Sequence, residues 1–265
     1  MQTVQSRPPL VVRVAIVLGG ATLVWLAVRW FGDALFGSDY HRGRHVLSAV
    51  LITALVVPLV MVAYRRLDRL PWDALRRATP RGAMKLILVG AAAYLIPATL
   101  AVTGFLLLGR LSVGLDVSPV RALGSVLALV VLVFFYEALP EELIFRGYLF
   151  RNLATALPTW AVVLVQALLF TLFGVAVGAA GSIERVLIFF GFAIVQGILR
   201  AVTGSLFVAV GFHLAFQVCE QIVGPHWNLI FIDDLSLLQN LVLGLIPLTL
   251  GVATAQILMR RRPAM

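Results

Sequence analysis

The chain has 265 residues, of which 61% are hydrophobic and only 12% charged, and its mean hydropathy is +1.02. An ordinary soluble domain is about 45–50% apolar and about 25% charged, so this composition excludes a soluble globular protein and indicates a polytopic membrane protein. The formal net charge is +9, but the basic residues cluster beside apolar segments without interleaved aromatic residues, which argues against nucleic-acid binding.

Apolar runs long enough to cross a bilayer recur along the whole chain. A spanning helix needs about 20 predominantly apolar residues, within a range of about 17–25. The eight predicted spans are 10–31, 46–64, 84–109, 120–139, 158–177, 186–199, 206–223 and 237–259, of which the sixth is short. We therefore predict an all-α bundle of eight transmembrane helices that forms a single transmembrane domain over residues 1–265.

Positive charge beside the spans predicts their orientation. Arg260, Arg261 and Arg262 lie close to the C-terminal end. The connection between the second and third spans, taken with the first residues of the third, carries seven basic residues: Arg65, Arg66, Arg69, Arg76, Arg77, Arg81 and Lys85. Loops rich in Lys and Arg stay in the cytoplasm, so an even number of spans puts both termini there. The expected location is the cell membrane, with the lipid bilayer as the surroundings and anionic lipids attracting the basic residues.

The fourth predicted span ends in ionisable residues, which are costly in lipid unless they pair or do chemistry. These residues are Glu137, Glu141, Glu142 and Arg146. Glu142 and Arg146 are one helical turn apart and could simply neutralise each other. Glu137 and Glu141 have the same spacing and would repel if both were ionised, so the pairing of Glu142 leaves these two acids unexplained.

Pro140 lies among these acids. It has no N–H for the carbonyl of Tyr136 and its ring crowds that turn, so we predict a kink or a new helix start at Pro140. Such a break would leave a backbone carbonyl and two carboxylates facing an internal cavity, where irregular backbone is tolerated at this depth. The predicted orientation makes this polar cavity face the cytoplasm.

A second polar group lies in the seventh span. Thr203-Gly204-Ser205 predicts a turn followed by a helix that the serine caps. His213 lies about 12 Å further down the helix axis. Gln217 lies one turn beyond it on the same face, and Glu220 follows three residues later. A lone histidine on an apolar face is usually a core residue, whereas a His–Gln–Glu stripe within a span indicates a functional site.

These two stretches resemble the signatures of a known protease family. Glu141-Glu142-x-x-x-Arg146 is similar to the first signature of the CAAX prenyl protease and bacteriocin-processing (CPBP, Abi-type) intramembrane proteases. The segment from Gly197 to His213 resembles the last signature, which in the family reads His-x-x-x-Asn or Asp; here Gln217 stands at its end. The likeness covers residues 120–220, which would form the protease core.

The resemblance implies an intramembrane endopeptidase that cleaves a membrane-associated peptide or protein, such as a prenylated CAAX-type substrate. Glu141 would act as general base on a water, with neighbouring carboxylates raising its proton affinity, and Arg146 would hold the carboxylate geometry. His213 and Gln217 would ligate a metal or donate hydrogen bonds to the tetrahedral oxyanion. Under the metalloendopeptidase view of the family, the implied cofactor is zinc.

The chain departs from the family pattern in the fifth span, where the family carries a further histidine in Phe-x-x-x-His. Two alignments put Gly174 or Val177 at that position, and with Gly174 we expect a cavity larger by an imidazole. Gln166 could enter the cavity from the same span, although an amide is a poor zinc ligand. A zinc site normally needs at least three protein ligands, and the matched motifs supply two, Glu141 and His213.

Other assignments remain open. His41 and His45 are predicted to form a hydrated pair in a loop on the far side of the membrane. The protein could be a catalytically impaired relative that binds a hydrophobic peptide or a partner membrane protein without cleaving it. It could also be a proton-coupled transporter that relays protons through Glu137, Glu141 and His213, although many such transporters show an internal repeat that this chain lacks.

Overall fold

A computed structural model of the chain describes residues 7–70, 79–227 and 229–260. These residues contain eight helices long and apolar enough to cross a membrane, one for each predicted span, so the prediction of an all-α polytopic membrane protein is confirmed. The helices are α1 (Leu10–Phe36), α2 (Arg42–Leu67), α3 (Pro80–Leu107), α4 (Pro119–Leu153), α5 (Thr159–Ala176), α6 (Ile183–Thr203), α7 (Leu206–Val223) and α8 (Leu237–Arg260). The protein is an integral membrane protein surrounded by lipid.

Helix α4 differs most from its predicted span, because it continues through Pro140 instead of ending near residue 139. A short α-helical turn, Leu139–Glu142, lies between two π-helical segments, Phe134–Ala138 and Leu143–Leu149. A π-helix bonds each N–H to the carbonyl five residues earlier, and this wider turn accommodates a proline that lacks a donor. The alternative of a new helix start at Pro140 is therefore wrong.

The chain divides into two compact units. Unit 1 comprises Met1–Pro80 and Leu139–Gly197, and unit 2 comprises Arg81–Ala138 and Ile198–Met265. The chain therefore passes from unit 2 to unit 1 within α4 and returns within α6. As a result, Glu141, Glu142 and Arg146 belong to unit 1, whereas Glu137 belongs to unit 2 together with His213 and Gln217.

In unit 1, a buried polar cluster joins α1, the residue after α2, and the end of α4. Arg13 forms an ion pair with Asp68 and donates to the side-chain oxygen of Asn152. The Asn152 amide in turn donates to Asp68 and to the carbonyl of Tyr148, both at 3.0 Å. Tyr64 donates to the carbonyl of Gly147 at 3.1 Å. The second π-helical segment of α4 is thus held by side chains of neighbouring helices.

In unit 2, glycines allow very close packing of α3, α7 and α8. A Cβ atom added at Gly90 would overlap the carbonyl of Val208, and one added at Gly211 would overlap the carbonyl of Ile87. Small residues let helix backbones approach in this way in membrane proteins. Tyr94 donates to the carbonyl of Leu243 at 2.8 Å. Together these contacts fix α7, which carries His213.

Unit 2 also contains a two-stranded ribbon that the sequence did not predict. Strands β1 (Val113–Leu115) and β2 (Ile230–Ile232) pair antiparallel. The Asp233 carboxylate accepts a hydrogen bond from the Ser112 backbone N–H at 2.9 Å, and this bond to the ionised form lowers the pKa of Asp233. The ribbon therefore links the α3–α4 connection to the α7–α8 connection.

Candidate functional site

The first signature forms a fully buried ion pair in unit 1. Glu142 and Arg146 both have 0% exposed surface, and the guanidinium Nη1 donates to Glu142 Oε1 at 3.0 Å. Arg146 Nη2 also donates to the carbonyl of Ala193 on α6 at 3.3 Å. The one-turn pairing predicted from the spacing is therefore confirmed, and α6 contributes to it.

Two glutamines extend this buried network. Gln196 on α6 donates to Glu142 Oε1 at 3.2 Å, and Gln166 on α5 donates to the carbonyl of Ala193 at 2.8 Å. The Arg146 guanidinium also lies 4.8 Å from the centre of the Phe170 ring. A buried ion pair offsets its desolvation cost only when further hydrogen bonds satisfy it. Gln196 supplies such a bond to Glu142, and Gln166 donates to the Ala193 carbonyl that also accepts from Arg146. We call Gln166 and Gln196 the amide pair.

Glu141 differs from its neighbour, because its side chain is only partly buried whereas Glu142 is completely enclosed. An enclosed carboxylate bonded to a guanidinium is poorly suited to bind water and transfer protons. Glu141 is the more accessible carboxylate of the motif, which agrees with the role of general base that the resemblance implies.

Unit 2 carries a different polar cluster. The two oxygens of Glu137 accept hydrogen bonds from two glutamines of α7, Oε2 from Gln217 and Oε1 from Gln221 at 3.0 Å. Glu220 accepts from Gln239 of α8 at 3.2 Å. Gln217, expected beside a metal or an oxyanion, thus donates to Glu137, and this contact accounts for an acid that the sequence left unexplained.

His213 is only 2% exposed, so its side chain is buried and does not face lipid. The helix that carries it starts as the sequence predicts. Gly204 has a φ of +63°, and the Ser205 hydroxyl accepts a hydrogen bond from the N–H of Val208 at 3.4 Å. The left-handed glycine and the serine cap fix the first turn of α7.

The expected cavity at Gly174 is absent, and this prediction is wrong. A Cβ atom added at Gly174 would lie 2.6 Å from two atoms of the Phe189 ring. Phe189 of α6 therefore fills the space where an imidazole was expected, and it stacks on Phe170 at 5.6 Å. Gly174 allows α5 and α6 to pack closely in unit 1.

The prediction of a hydrated histidine loop is also wrong for His45. Helix α2 begins at Arg42, so His45 lies in its first turns, where it is only 7% exposed. The Tyr40 hydroxyl is 3.3 Å from His45 Nδ1. His41 precedes the helix and accepts a hydrogen bond from the N–H of Gly43 at 3.1 Å, so it caps α2.

The described residues do not fit a zinc site. Among residues 7–70, 79–227 and 229–260, no three His, Cys, Asp or Glu side chains come together in a group that could hold a metal ion. Structural and catalytic zinc sites use at least three such ligands, and Glu142 is already bonded to Arg146. The chemistry proposed below therefore contains no step through a metal.

Residues 123–219 match the family model of type II CAAX prenyl endopeptidase, Rce1-like. This stretch contains both signatures, from the glutamates of α4 to Gln217 of α7, and the match confirms the resemblance to the CPBP intramembrane proteases. A comparison with curated proteins finds no match.

The motifs did not predict a role for Gln196, and they gave Gln166 no firm role. Both residues are completely buried polar side chains in helices that are otherwise apolar. Polar residues within a span require a functional explanation, and this rule drew attention to Glu141 and His213. It applies equally to these two amides. Their partners, however, are set by how α5 and α6 pack on α4, which the sequence does not show.

Proposed function

We propose that the protein is an intramembrane endopeptidase that hydrolyses a peptide bond of a membrane-associated substrate of the CAAX type. The observation that carries this proposal is the contrast between two neighbouring carboxylates. Glu142 is fully buried and paired with Arg146, whereas Glu141, the residue before it, is more accessible. The family match over residues 123–219 supports the reaction class and the substrate class.

In the proposed reaction, Glu141 removes a proton from a water molecule. The water oxygen then attacks the carbonyl carbon of the scissile bond and forms a tetrahedral intermediate with a negatively charged oxygen. Glu141 next transfers the proton to the leaving nitrogen, and the C–N bond breaks. We assign Gln217 to holding Glu137 within unit 2. The role of His213 as a hydrogen-bond donor to the oxyanion stays an implication of the resemblance to the family.

Cleavage of a fluorogenic lipidated peptide by the purified protein in detergent tests this proposal. Glu141→Gln should lower kcat by about 10²–10⁴-fold, which is the usual contribution of a general base. Glu184→Gln is the matched control, because Glu184 is an exposed acid at the start of α6, and it should retain the activity of the unchanged protein. Full activity in Glu141→Gln would exclude Glu141 as the base.

We also propose that the substrate approaches from the cytoplasm and that both termini lie there, as the distribution of arginines suggests. Reporter fusions within residues 65–85 and after residue 260 should then report a cytoplasmic location. A fusion in the connection between α7 and α8 should report the opposite side. The same location for all three fusions would contradict this orientation.

A second candidate function is binding without cleavage, and the packing at Gly174 favours it. In the alignment that puts Gly174 at the position of the family's fifth-span histidine, the surroundings leave no room for an imidazole, because Phe189 occupies that space. Under this alternative, the unchanged protein binds the lipidated peptide but does not cleave it, and Glu141→Gln binds equally well. Cleavage that depends on Glu141 would rule the alternative out.

A further inference from the structure

We propose that the amide pair, Gln196 and Gln166, consists of positioning residues that hold the Glu142–Arg146 ion pair in one geometry and thereby orient Glu141 for catalysis. This inference rests on the proposed peptidase function. Both glutamines have 0% exposed surface, and both lie in unit 1 with the ion pair.

Gln196 acts on the carboxylate of the ion pair. Its Nε2 donates to Glu142 Oε1 at 3.2 Å, and the same oxygen accepts from Arg146 Nη1 at 3.0 Å. Two donors from different helices fix the position of one carboxylate oxygen more narrowly than the intrahelical pair can. Because Glu141 directly precedes Glu142 in the chain, a shift of Glu142 would also shift the backbone of Glu141.

Gln166 acts on the guanidinium end through a shared carbonyl. Its Nε2 donates to the carbonyls of Val163 and Ala193 at 3.0 and 2.8 Å, and the carbonyl of Ala193 also accepts from Arg146 Nη2 at 3.3 Å. Both neighbours of Nε2 are acceptors, which sets the orientation of the amide. Gln166 therefore ties α5 to the point on α6 where Arg146 is held.

Gly197, at the start of the last signature, makes room for this arrangement. A Cβ atom at Gly197 would lie 2.5 Å from Gln166 Nε2 and 3.2 Å from Val163 Cγ1. Any larger residue would push the Gln166 amide away from the carbonyl of Ala193. Gly197 belongs to the segment that resembles the last signature. By leaving space for the Gln166 amide, it supports the ion pair of the first signature within unit 1.

Burying charged and polar side chains costs desolvation free energy, so the presence of this network indicates that its geometry has a role. Replacing a buried ionic network by apolar side chains of similar volume is often neutral or stabilising, so stability alone does not require four polar side chains within spanning helices. A catalytic group, in contrast, loses much of its rate when it is misplaced by about 1 Å. Precise positioning of the neighbouring general base is the function that this network can supply.

The test compares kcat, KM and the unfolding midpoint of the full chain in one detergent, with a fluorogenic lipidated peptide as the probe. Gln196→Met keeps the length of the side chain but removes the donor, and it should lower kcat about tenfold or more, because hydrogen bonds to charged groups are the stronger ones. KM should change little, and the fall of the unfolding midpoint should be too small to account for the loss of kcat. Gln196→Glu replaces the donor by a second carboxylate and should lower kcat at least as much.

Gln239→Met is the matched control, because Gln239 donates to Glu220 in unit 2 at 3.2 Å, the same length as the bond from Gln196. It should leave kcat unchanged. Gly197→Ala and Gln166→Met should each lower kcat, and the double variant should be no worse than the more affected single variant, since both changes remove the same contact. Additive losses would contradict the role of Gly197.

The outcomes separate this inference from the proposed function. If the unchanged protein cleaves and Glu141→Gln does not, but Gln196→Met and Gln196→Glu both keep full kcat, the positioning role is wrong while the peptidase function stands. A loss of kcat in proportion to a lowered unfolding midpoint would also overturn it, because that result indicates a structural role only. If the unchanged protein does not cleave the peptide, both proposals fail.

Discussion

Glu142 of unit 1 is completely buried and bonded to a cation, whereas Glu137 of unit 2 is partly buried and bonded to two neutral amides. The charge of Glu142 is neutralised by Arg146, so removing either residue alone leaves the other as a buried charge without that counter-charge. At Glu137, two neutral donors share one carboxylate, so the loss of one donor leaves the other hydrogen bond in place. Glu137 and Glu142 are five residues apart in one helix. We therefore expect the free energy of unfolding to respond differently when each of them loses a partner.

The largest effect should follow from breaking the ion pair. Arg146→Met leaves Glu142 as an uncompensated buried carboxylate, which typically costs about 3–5 kcal/mol of stability. The free energy of unfolding in detergent, measured against the unchanged protein, should fall by that amount. Adding Glu142→Gln to Arg146→Met should recover a large part of the loss, because the double variant buries no net charge. A double variant as unstable as Arg146→Met would show that the pair is not held as a unit.

The next effect tests how tightly unit 1 is packed beside the ion pair. Gly174→His forces an imidazole into the Phe189 ring, and overpacking of this kind typically costs about 1–3 kcal/mol. Phe189 stacks on Phe170, which contacts Arg146, so the strain should reach the pair and lower cleavage activity as well. Gly174→His combined with Phe189→Ala should restore stability. If Gly174→His alone is stable and more active than the unchanged protein, the packing argument is wrong.

A smaller effect is expected in unit 2. Glu137→Gln keeps the size of the side chain and retains one oxygen that accepts from Gln217 or Gln221, so the loss should be about 1 kcal/mol, as for one hydrogen bond. The same change at Glu142 should cost clearly more, because it leaves Arg146 buried without its counter-charge. Unfolding measurements on the two variants compare the clusters directly, and equal losses would contradict the distinction between them.

The eight spans and both signatures could be predicted from the sequence, because apolar run length and residue spacing are local properties. The pairing of Glu142 with Arg146 was predictable for the same reason, since it lies within one helical turn. The partners of Glu137 were not, because Gln217 and Gln221 come from a helix that is distant in the chain. Which face of one helix meets another is decided by packing, and the sequence pattern does not contain it.

The error at Gly174 has the same origin. A missing side chain in a motif suggests empty space only if the neighbouring residues stay where the family has them. Here Phe189, on another helix, fills that space. The predicted fourth span stopped at residue 139 for a different reason: hydropathy drops at the acids and at Arg146, although the pairing of Glu142 with Arg146 allows the helix to continue to Leu153.

The smallest effect, none at all, is expected on removing metal. Zinc needs at least three suitable ligands, Glu142 is occupied by Arg146, and the described part of the chain brings no three such side chains together. Cleavage of the lipidated peptide should therefore be the same with and without chelator, and elemental analysis should find no stoichiometric zinc after purification without added metal. Glu141→Gln is the positive control for loss of activity.

One zinc per chain that is lost in His213→Ala, together with inhibition by chelator, would mean that an unrecognised ligand completes a site around His213. In that case the metal-free reaction assigned to Glu141 would have to be abandoned.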